Sequence, residues 1–187
     1  MTSRDDLTVR LGQTVTPFGV GAIYDISGQS FVAKDIAKWG PAGRTIFLDR
    51  LAAKLRVENF RVAPSAPSGD RERNDRGVPF FRFPRWMFCA SCRRMIHLPF
   101  DYDERGTAPE CDCAKSQKRR SRLIPMRFVG ICKNGHMGEV AWVRWTHSQT
   151  TTHDQRQCQL RDLKFLTRAG SGGGLTSLIV KCKCDAS

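Results

Sequence analysis

The sequence contains no long hydrophobic run and no recognisable leader. Its apolar stretches all fall short of the roughly 18 consecutive residues that a membrane-spanning helix needs. The N-terminus, MTSRDDLTVR, has neither the apolar core nor the small-residue cleavage site of a secretory signal. These absences predict a soluble protein of the cytoplasm.

The short motifs of common enzymes are also missing. The sequence has no H-E-x-x-H, no G-x-S-x-G and no Walker pattern, and the H-x-E of zinc-dependent nucleotide deaminases is also missing. Gly19 and Gly21 form an isolated G-x-G, which we interpret as a turn before a buried strand. A Cys-His nucleophile pair would need a cysteine that no metal binds. We therefore predict a protein without a catalytic site.

Cysteine, by contrast, is abundant and arranged in close pairs. The sequence reads CASC at residues 89–92, CDC at residues 111–113 and CKNGH at residues 132–136, with 18 residues in each gap. Tetrahedral zinc needs two such pairs, since each tight turn donates two thiolates. The eight cysteines could instead form disulfides. The absence of a secretory signal favours thiolates on a metal.

The first ligand set is complete within the chain. It consists of Cys89, Cys92, Cys111 and Cys113. Four thiolates leave no coordination position for water, so the predicted cofactor is a structural zinc ion.

A second zinc site has more candidate ligands than one ion can use. They are Cys132, His136, Cys158, Cys182 and Cys184, with His147 and His153 as further candidates. We take Cys182 and Cys184 as the central pair, to which Cys158 or Cys132 would be added. His136 can equally be interpreted as a histidine held in a turn by hydrogen bonds. The sequence leaves this choice open.

Positive charge is concentrated in the cysteine-bearing part of the chain. Residues 1–60 hold 8 basic and 6 acidic side chains, whereas residues 61–187 hold 23 and 12. A basic segment held beside a metal site loses less entropy on docking to phosphates than a free tail does. Solubility alone also accounts for such a surface. The predicted nucleic-acid contacts are Lys115, Lys118, Arg119, Arg120 and Arg122.

Composition divides the chain into two lobes. Residues 64–77 read PSAPSGDRERNDRG, a polar and charged stretch that cannot bury itself. We predict an N-terminal α/β lobe over residues 1–63, a flexible linker over residues 64–78 and a zinc-binding basic lobe over residues 79–187. The expected fold class is α+β, with small irregular antiparallel strands and a few short helices organised around one or two structural zinc sites.

Local patterns predict three details of the fold. Apolar periodicity predicts a helix over residues 45–55 with one buried face. Arg82 lies between two phenylalanines, which predicts an extended segment with the aromatic rings inward and the arginine outward. Trp142 and Trp145, three residues apart, predict a short helix with both rings on one face.

Four segments, taken in order, resemble the N-terminal part of the DrmB family. They read VRLGQTVTPFGVGAIYDI, FPRWMFCASC, RFVGICKNGHMGEVAWVRWTH and GGGLTSLIVKCKC. DrmB proteins are zinc-binding, helicase-associated components of the DISARM anti-phage defence system. The resemblance implies a DrmA-like helicase as partner, contact with DNA and no catalytic site. CDC and CKC stand where the family usually carries C-x-x-C, and the family continues well beyond residue 187.

Two hypotheses from different classes follow. In the first, the chain is a non-catalytic, zinc-stabilised subunit that assembles with a helicase and adds a basic DNA-contacting surface. In the second, it is a stand-alone nucleic-acid-binding protein of the zinc-ribbon kind. A metal-dependent nuclease or deaminase would need an open metal position that the cysteine spacing does not offer.

Overall fold

The chain forms small antiparallel sheets and short helices in two compact units. The computed structural model describes residues 10–40, 43–64, 77–105, 108–113, 120–148, 150, 153–156, 158, 162–168, 170 and 174–187. The units are Met1–Arg82 and Phe83–Ser187. Most of the linker predicted over residues 64–78 lies outside the described residues. None of the described helices is long and apolar enough to cross a lipid bilayer.

The first unit contains a three-stranded antiparallel sheet. Strand β1 (Ile23–Ile26) and strand β2 (Gln29–Ala33) form a hairpin. Its two-residue turn has positive φ at both positions, Ser27 (47°) and Gly28 (73°), as the twist of a tight hairpin requires. The third strand is Phe80–Arg82, which we call β5 and which pairs with β2. The lobe boundary predicted from the sequence, after residue 78, places this segment in the second lobe.

The predicted outward orientation of Arg82 is wrong. Its side chain is only 5% exposed. One guanidinium nitrogen donates to Gln29 Oε1, and the guanidinium carbon lies 4.8 Å from the centre of the Phe31 ring. Arg82 pairs directly with Phe31 across the sheet, so hydrogen bonding and ring stacking compensate its burial.

The helix predicted over residues 45–55 is shorter than expected. Strand β3 (Thr45–Ile46) pairs with strand β4 (Phe60–Arg61), and helix α1 (Asp49–Leu55) lies between them. The pairing holds the first residues in an extended conformation, so the helix begins four residues late. The predicted buried face is also wrong, because Leu51 and Leu55 are 42% and 55% exposed.

The second unit is built around strand β6 (Trp86–Cys89). It lies between β7 (Met95–His97) and β8 (Leu123–Pro125) in a three-stranded antiparallel sheet. Side chains alternate across a strand, so β6 contributes to two cores. Met87 and Cys89 pack with Leu123, while Phe88 packs in a second cluster.

The described part of this unit also contains two further hairpins, two short α-helices and two 3-10 helices, Phe100–Arg105 and Leu175–Ser177. Strand β9 (Val129–Ile131) pairs with β10 (Met137–Glu139), and β11 (Leu163–Thr167) pairs with β12 (Leu178–Cys182). The α-helices are α2 (Trp142–His147) and α3 (His153–Arg156). Buried Trp142 joins the cluster around Phe88, and the predicted helix over the two tryptophans is confirmed. The fold class is α+β, as predicted.

Candidate metal centres

The first candidate centre begins at the turn between β6 and β7. The backbone N–H of Cys89 donates to the Arg94 carbonyl at 2.9 Å, and Arg93 N–H donates to the Cys89 carbonyl at 3.0 Å. Arg93 has a positive φ of 65°, which closes the turn. The Cys92 N–H approaches the Cys89 sulfur at 3.5 Å. A tight turn therefore presents two thiols together.

A short antiparallel pairing brings the second cysteine pair to this turn. Cys111 N–H donates to the Ser121 carbonyl, and Leu123 N–H donates to the Pro109 carbonyl, both at 2.8 Å. Leu123 begins β8 and lies directly opposite Cys89 on β6. Strand β8 therefore connects the two halves of the centre.

The four sulfur atoms have the spacing of a tetrahedral zinc site. Cys89 Sγ lies 3.8 Å from Cys113 Sγ, and Cys92 Sγ lies 3.7 Å from Cys111 Sγ. Two Zn–S bonds of about 2.3 Å at the tetrahedral angle place their sulfurs about 3.8 Å apart. A disulfide would need a separation of about 2.05 Å. The arrangement fits one metal ion and does not fit disulfides.

The thiols of this group differ in how readily they lose a proton. Burial raises the pKa of the Cys111 thiol to about 12. Burial also raises that of Cys89, but hydrogen bonds from the backbone N–H groups of Cys92 and Ser91 outweigh it and lower the pKa of Cys89 to about 6. The Cys89 thiolate therefore forms easily, whereas ionising Cys111 near neutral pH needs a cation between the sulfurs.

The second candidate centre joins a helix, a loop and a hairpin. Its members are His147, Cys158, Cys182 and Cys184, whose ligand atoms all lie within 4.8 Å of one another. His147 is the last residue of α2, and Cys182 is the last residue of β12. Cys158 follows α3, and its N–H donates to the Gln155 carbonyl at 3.3 Å. Three separate segments thus converge on one point.

The histidine of this group is oriented as a metal ligand requires. His147 Nδ1 lies 2.6 Å from the Val143 carbonyl, so this nitrogen is the donor. Nε2 then carries the lone pair, and it lies 3.3 Å from Cys184 Sγ. A second hydrogen bond that fixes the imidazole is the usual companion of histidine ligation.

The remaining geometry also suits a tetrahedral ion. Cys158 Sγ and Cys182 Sγ are 4.0 Å apart. Burial raises the pKa of Cys182 to about 11. Burial also raises that of Cys184, but hydrogen bonds, the first of them from the backbone N–H of Ala186, outweigh it and lower its pKa to about 7. Both groups can hold a metal ion, with four protein ligands each.

Cys132 and His136 are not members of the second group. They lie in the turn between β9 and β10, where both side chains are exposed. Among the described residues, the groups that can hold a metal contain neither of them. Their assignment as metal ligands stays a prediction. The group contains Cys158, one of the two additions favoured from the sequence, and His147, which the sequence gave only as a further candidate.

The predicted nucleic-acid contacts are described only in part. Lys115, Lys118 and Arg119 lie outside the described residues. Arg120 and Arg122 have exposed side chains. They flank Ser121, whose carbonyl binds the backbone of a first-centre cysteine. The end of the basic segment is thus attached directly to the first centre.

Sequence comparison assigns the chain to a family. A family model described as "Domain of unknown function (DUF8724)" matches residues 10–187, which include both candidate centres. The chain belongs to this family. The DUF8724 match begins at the first described residue and continues to Ser187.

A curated relative of this DUF8724 chain carries a functional name. The chain is 27% identical over 167 residues to a Bacillus paralicheniformis protein named "DISARM protein DrmB". The alignment covers 86% of this chain and 26% of the relative. The chain thus spans about a quarter of that protein's length. The resemblance to DrmB is confirmed.

Proposed function

We propose that the chain is a non-catalytic, zinc-stabilised subunit of an anti-phage defence complex. In this proposal it associates with a DrmA-like DNA helicase and contributes a basic surface that contacts DNA. The observation that carries the proposal is the pair of four-ligand groups in a chain similar to a protein named "DISARM protein DrmB".

The donor sets support a structural role for the metal. Each group supplies four protein ligands, three or four of them cysteine sulfurs. A zinc ion held this way has no open position for water or substrate, so it stabilises the fold and does not activate a nucleophile. Sulfur-rich sets select zinc over magnesium or calcium, which prefer oxygen.

The charge distribution supports a DNA-contacting role. The excess of positive charge over residues 61–187 is 23 basic against 12 acidic side chains. Arg120 and Arg122 are exposed beside the first centre. A metal-braced position reduces the entropy lost when such side chains dock on phosphates.

Co-purification with and without metal tests the proposed assembly. The tagged chain is co-expressed with a DrmA-like helicase and captured before and after treatment with a strong zinc chelator. We expect the helicase to be retained with zinc and lost without it, and re-addition of zinc to restore retention. Equal retention after complete zinc loss would contradict a zinc-built docking surface.

A charge-matched pair of variants tests the DNA surface. Lys118, Arg119 and Arg120 are changed to alanine, and the control changes Arg44, Arg50 and Lys54, three exposed basic residues of the first unit. Only the first variant should reduce the slope of log affinity against log salt, by about 0.9 per lost phosphate contact. Equal reductions in both variants would indicate general charge attraction.

The exposed arginines also favour a second candidate function, that of a stand-alone nucleic-acid-binding zinc protein. This alternative predicts that the purified chain binds DNA without any helicase. Binding that appears only in the presence of the helicase excludes it. A gel-shift titration at low salt with and without the helicase separates the two.

A further inference from the structure

One cysteine of the chain is not used by either candidate centre. The sequence has eight cysteines, and the two four-ligand groups contain all of them except Cys132. Cys132 Sγ lies 3.3 Å from His136 Nδ1, and both side chains are exposed. The turn between β9 and β10 thus presents a thiol and an imidazole side by side.

This turn has the same backbone geometry as a turn of the second centre. Cys132 N–H donates to the His136 carbonyl at 3.0 Å, and Gly135 N–H donates to the Cys132 carbonyl at 2.9 Å. At the second centre, Cys182 N–H donates to the Ala186 carbonyl at 2.8 Å, and Asp185 N–H donates to the Cys182 carbonyl at 3.0 Å. The fourth residue has positive φ in both turns.

The hairpin that carries this turn is fixed at its base. Glu139 Oε1 accepts hydrogen bonds from the backbone N–H groups of Arg85 and Trp86. Its Oε2 lies 2.9 Å from His97 Nε2. At the other end, Ile131 is 68% exposed next to Cys132. The tip is therefore presented to solvent by a base that is tied to β6 and β7.

The thiol and imidazole are spaced as two ligands of one ion. Zn–S and Zn–N bonds of about 2.3 and 2.05 Å at the tetrahedral angle place the two atoms about 3.6 Å apart. The observed 3.3 Å is close to that value. Two ligands fill only half of a tetrahedral shell, and every other cysteine of the sequence belongs to a complete group.

A nucleophilic role for this pair has less support. A catalytic imidazole is normally oriented by a third group. Within the described part of the chain, no hydrogen bond reaches His136 Nε2. The apolar cavity described in this unit is lined by other residues, among them Trp142, Trp145 and Phe165. The exposed turn offers a metal ligand pair without a substrate pocket.

We propose that Cys132 and His136 form a zinc half-site that a second copy of this chain completes. Two such turns related by a two-fold axis supply two thiolates and two imidazoles, which is one of the common structural zinc sets. The two thiolates neutralise the charge of the ion. Each exposed Ile131 side chain lies next to Cys132, where the second copy can cover it. The proposal goes beyond the proposed function, because neither four-ligand group takes part.

Zinc stoichiometry and mass of the intact chain test this proposal. Native mass spectrometry and sedimentation are run on the purified protein at limiting and saturating zinc. We expect a zinc-dependent dimer that holds one ion per pair of chains beyond those of the two four-ligand groups. Cys132→Ser and His136→Ala should each abolish the dimer and the extra ion while leaving the ions of the two groups in place.

A control in the same turn and a second probe make the result specific. Lys133→Ala changes an exposed neighbour and should dimerise like the parent chain. Cobalt titration of the dimer should add absorption typical of a tetrahedral Cys₂His₂ site, and Cys132→Ser should lack it. A chain that stays monomeric at saturating zinc, or an extra ion bound by the monomer, would overturn the proposal. Loss of ions from the four-ligand groups in the parent chain would instead count against the proposed function.

Discussion

The cysteines of each candidate centre are not equivalent. In the first centre Cys89 has a pKa of about 6 and Cys111 one of about 12. In the second, the pKa values of Cys184 and Cys182 are about 7 and about 11. In each group the low value belongs to the thiol at which hydrogen bonds outweigh burial, and the high value to the thiol at which burial outweighs them. In each group the thiol with the lower pKa, Cys89 or Cys184, can therefore bind the ion first.

These values predict that zinc binding releases protons and strengthens as pH rises. Cys111 and Cys182 are protonated at neutral pH without metal, because their pKa values of about 12 and about 11 lie well above it. Zinc needs both as thiolates, so each released proton makes the affinity rise about tenfold per pH unit. Below about pH 6, the pKa of Cys89, that thiol must also release a proton when zinc binds, so the affinity should depend on pH more steeply there.

Competition with a chromogenic chelator at several pH values measures this dependence. Calorimetry in two buffers of different ionisation enthalpy counts the released protons directly. An affinity that does not change with pH would mean that the thiols are already ionised before zinc arrives.

Histidine substitutions distinguish the ligand of the second centre from its alternatives. His147→Ala removes a group whose Nε2 lies 3.3 Å from Cys184 Sγ. Loss of a second-shell partner typically costs about 10–100-fold in metal affinity, so loss of this ligand should cost more than about 100-fold. His136→Ala is the matched control and should keep both tightly bound ions. The reverse outcome would assign His136 to the second centre. Zinc release during titration with a chelator measures the loss of metal affinity in both variants.

At the scale of elements, the features that could be predicted from the sequence are those that depend on residues close together in the chain. The spacing of Cys89 and Cys92 within one hairpin turn is local, and so is the helix of Trp142 and Trp145. The choice of His147 depends on where α2 lies against the end of β12, because His147 and Cys184 are 37 residues apart in the sequence. No spacing rule contains that information. Arg82 was misjudged for the same reason, since its partner Gln29 lies 53 residues away.

Helix α2 should depend on the second centre for its position. A helix of six residues is too short to be stable alone, because isolated helices below about 12 residues are marginal in water. Its contacts include His147 in the metal group and the buried side chains of Trp142 and Thr146, which are 5% and 0% exposed. Together with β12, it also lines an apolar cavity of about 300 Å³. Removing zinc should release the helix and expose Trp142 to water.

Tryptophan fluorescence measures this release. We expect a red shift and loss of intensity on chelation in the parent chain and a much smaller change in Trp142→Phe. Trp39→Phe is the matched control, because Trp39 is a buried tryptophan of the first unit, 8% exposed. An unchanged shift in Trp142→Phe would mean that the signal comes from another tryptophan, such as Trp86 or Trp145, and not from exposure of Trp142.

At the scale of the molecule, metal dependence should be confined to one of the two units. All eight cysteines follow residue 82, so Met1–Arg82 contains none and Phe83–Ser187 contains both centres. Zinc binding of about 10–16 kcal/mol in small zinc-finger peptides is comparable to the 5–15 kcal/mol that stabilises a whole domain. Loss of two such ions should therefore unfold the second unit. The first unit has its own three-stranded sheet and should not respond.

Hydrogen exchange on the full chain resolves the two units in one measurement. After chelation, amides of β6, β8 and β12 should lose most of their protection, because these strands carry or connect the metal ligands. Amides of β1 and β2 should keep the protection that they have with zinc. Re-addition of zinc should restore the first group of strands and leave the second unchanged. Loss of protection in both units would show that the first unit is not independent, and protection kept in both would exclude a metal-dependent fold.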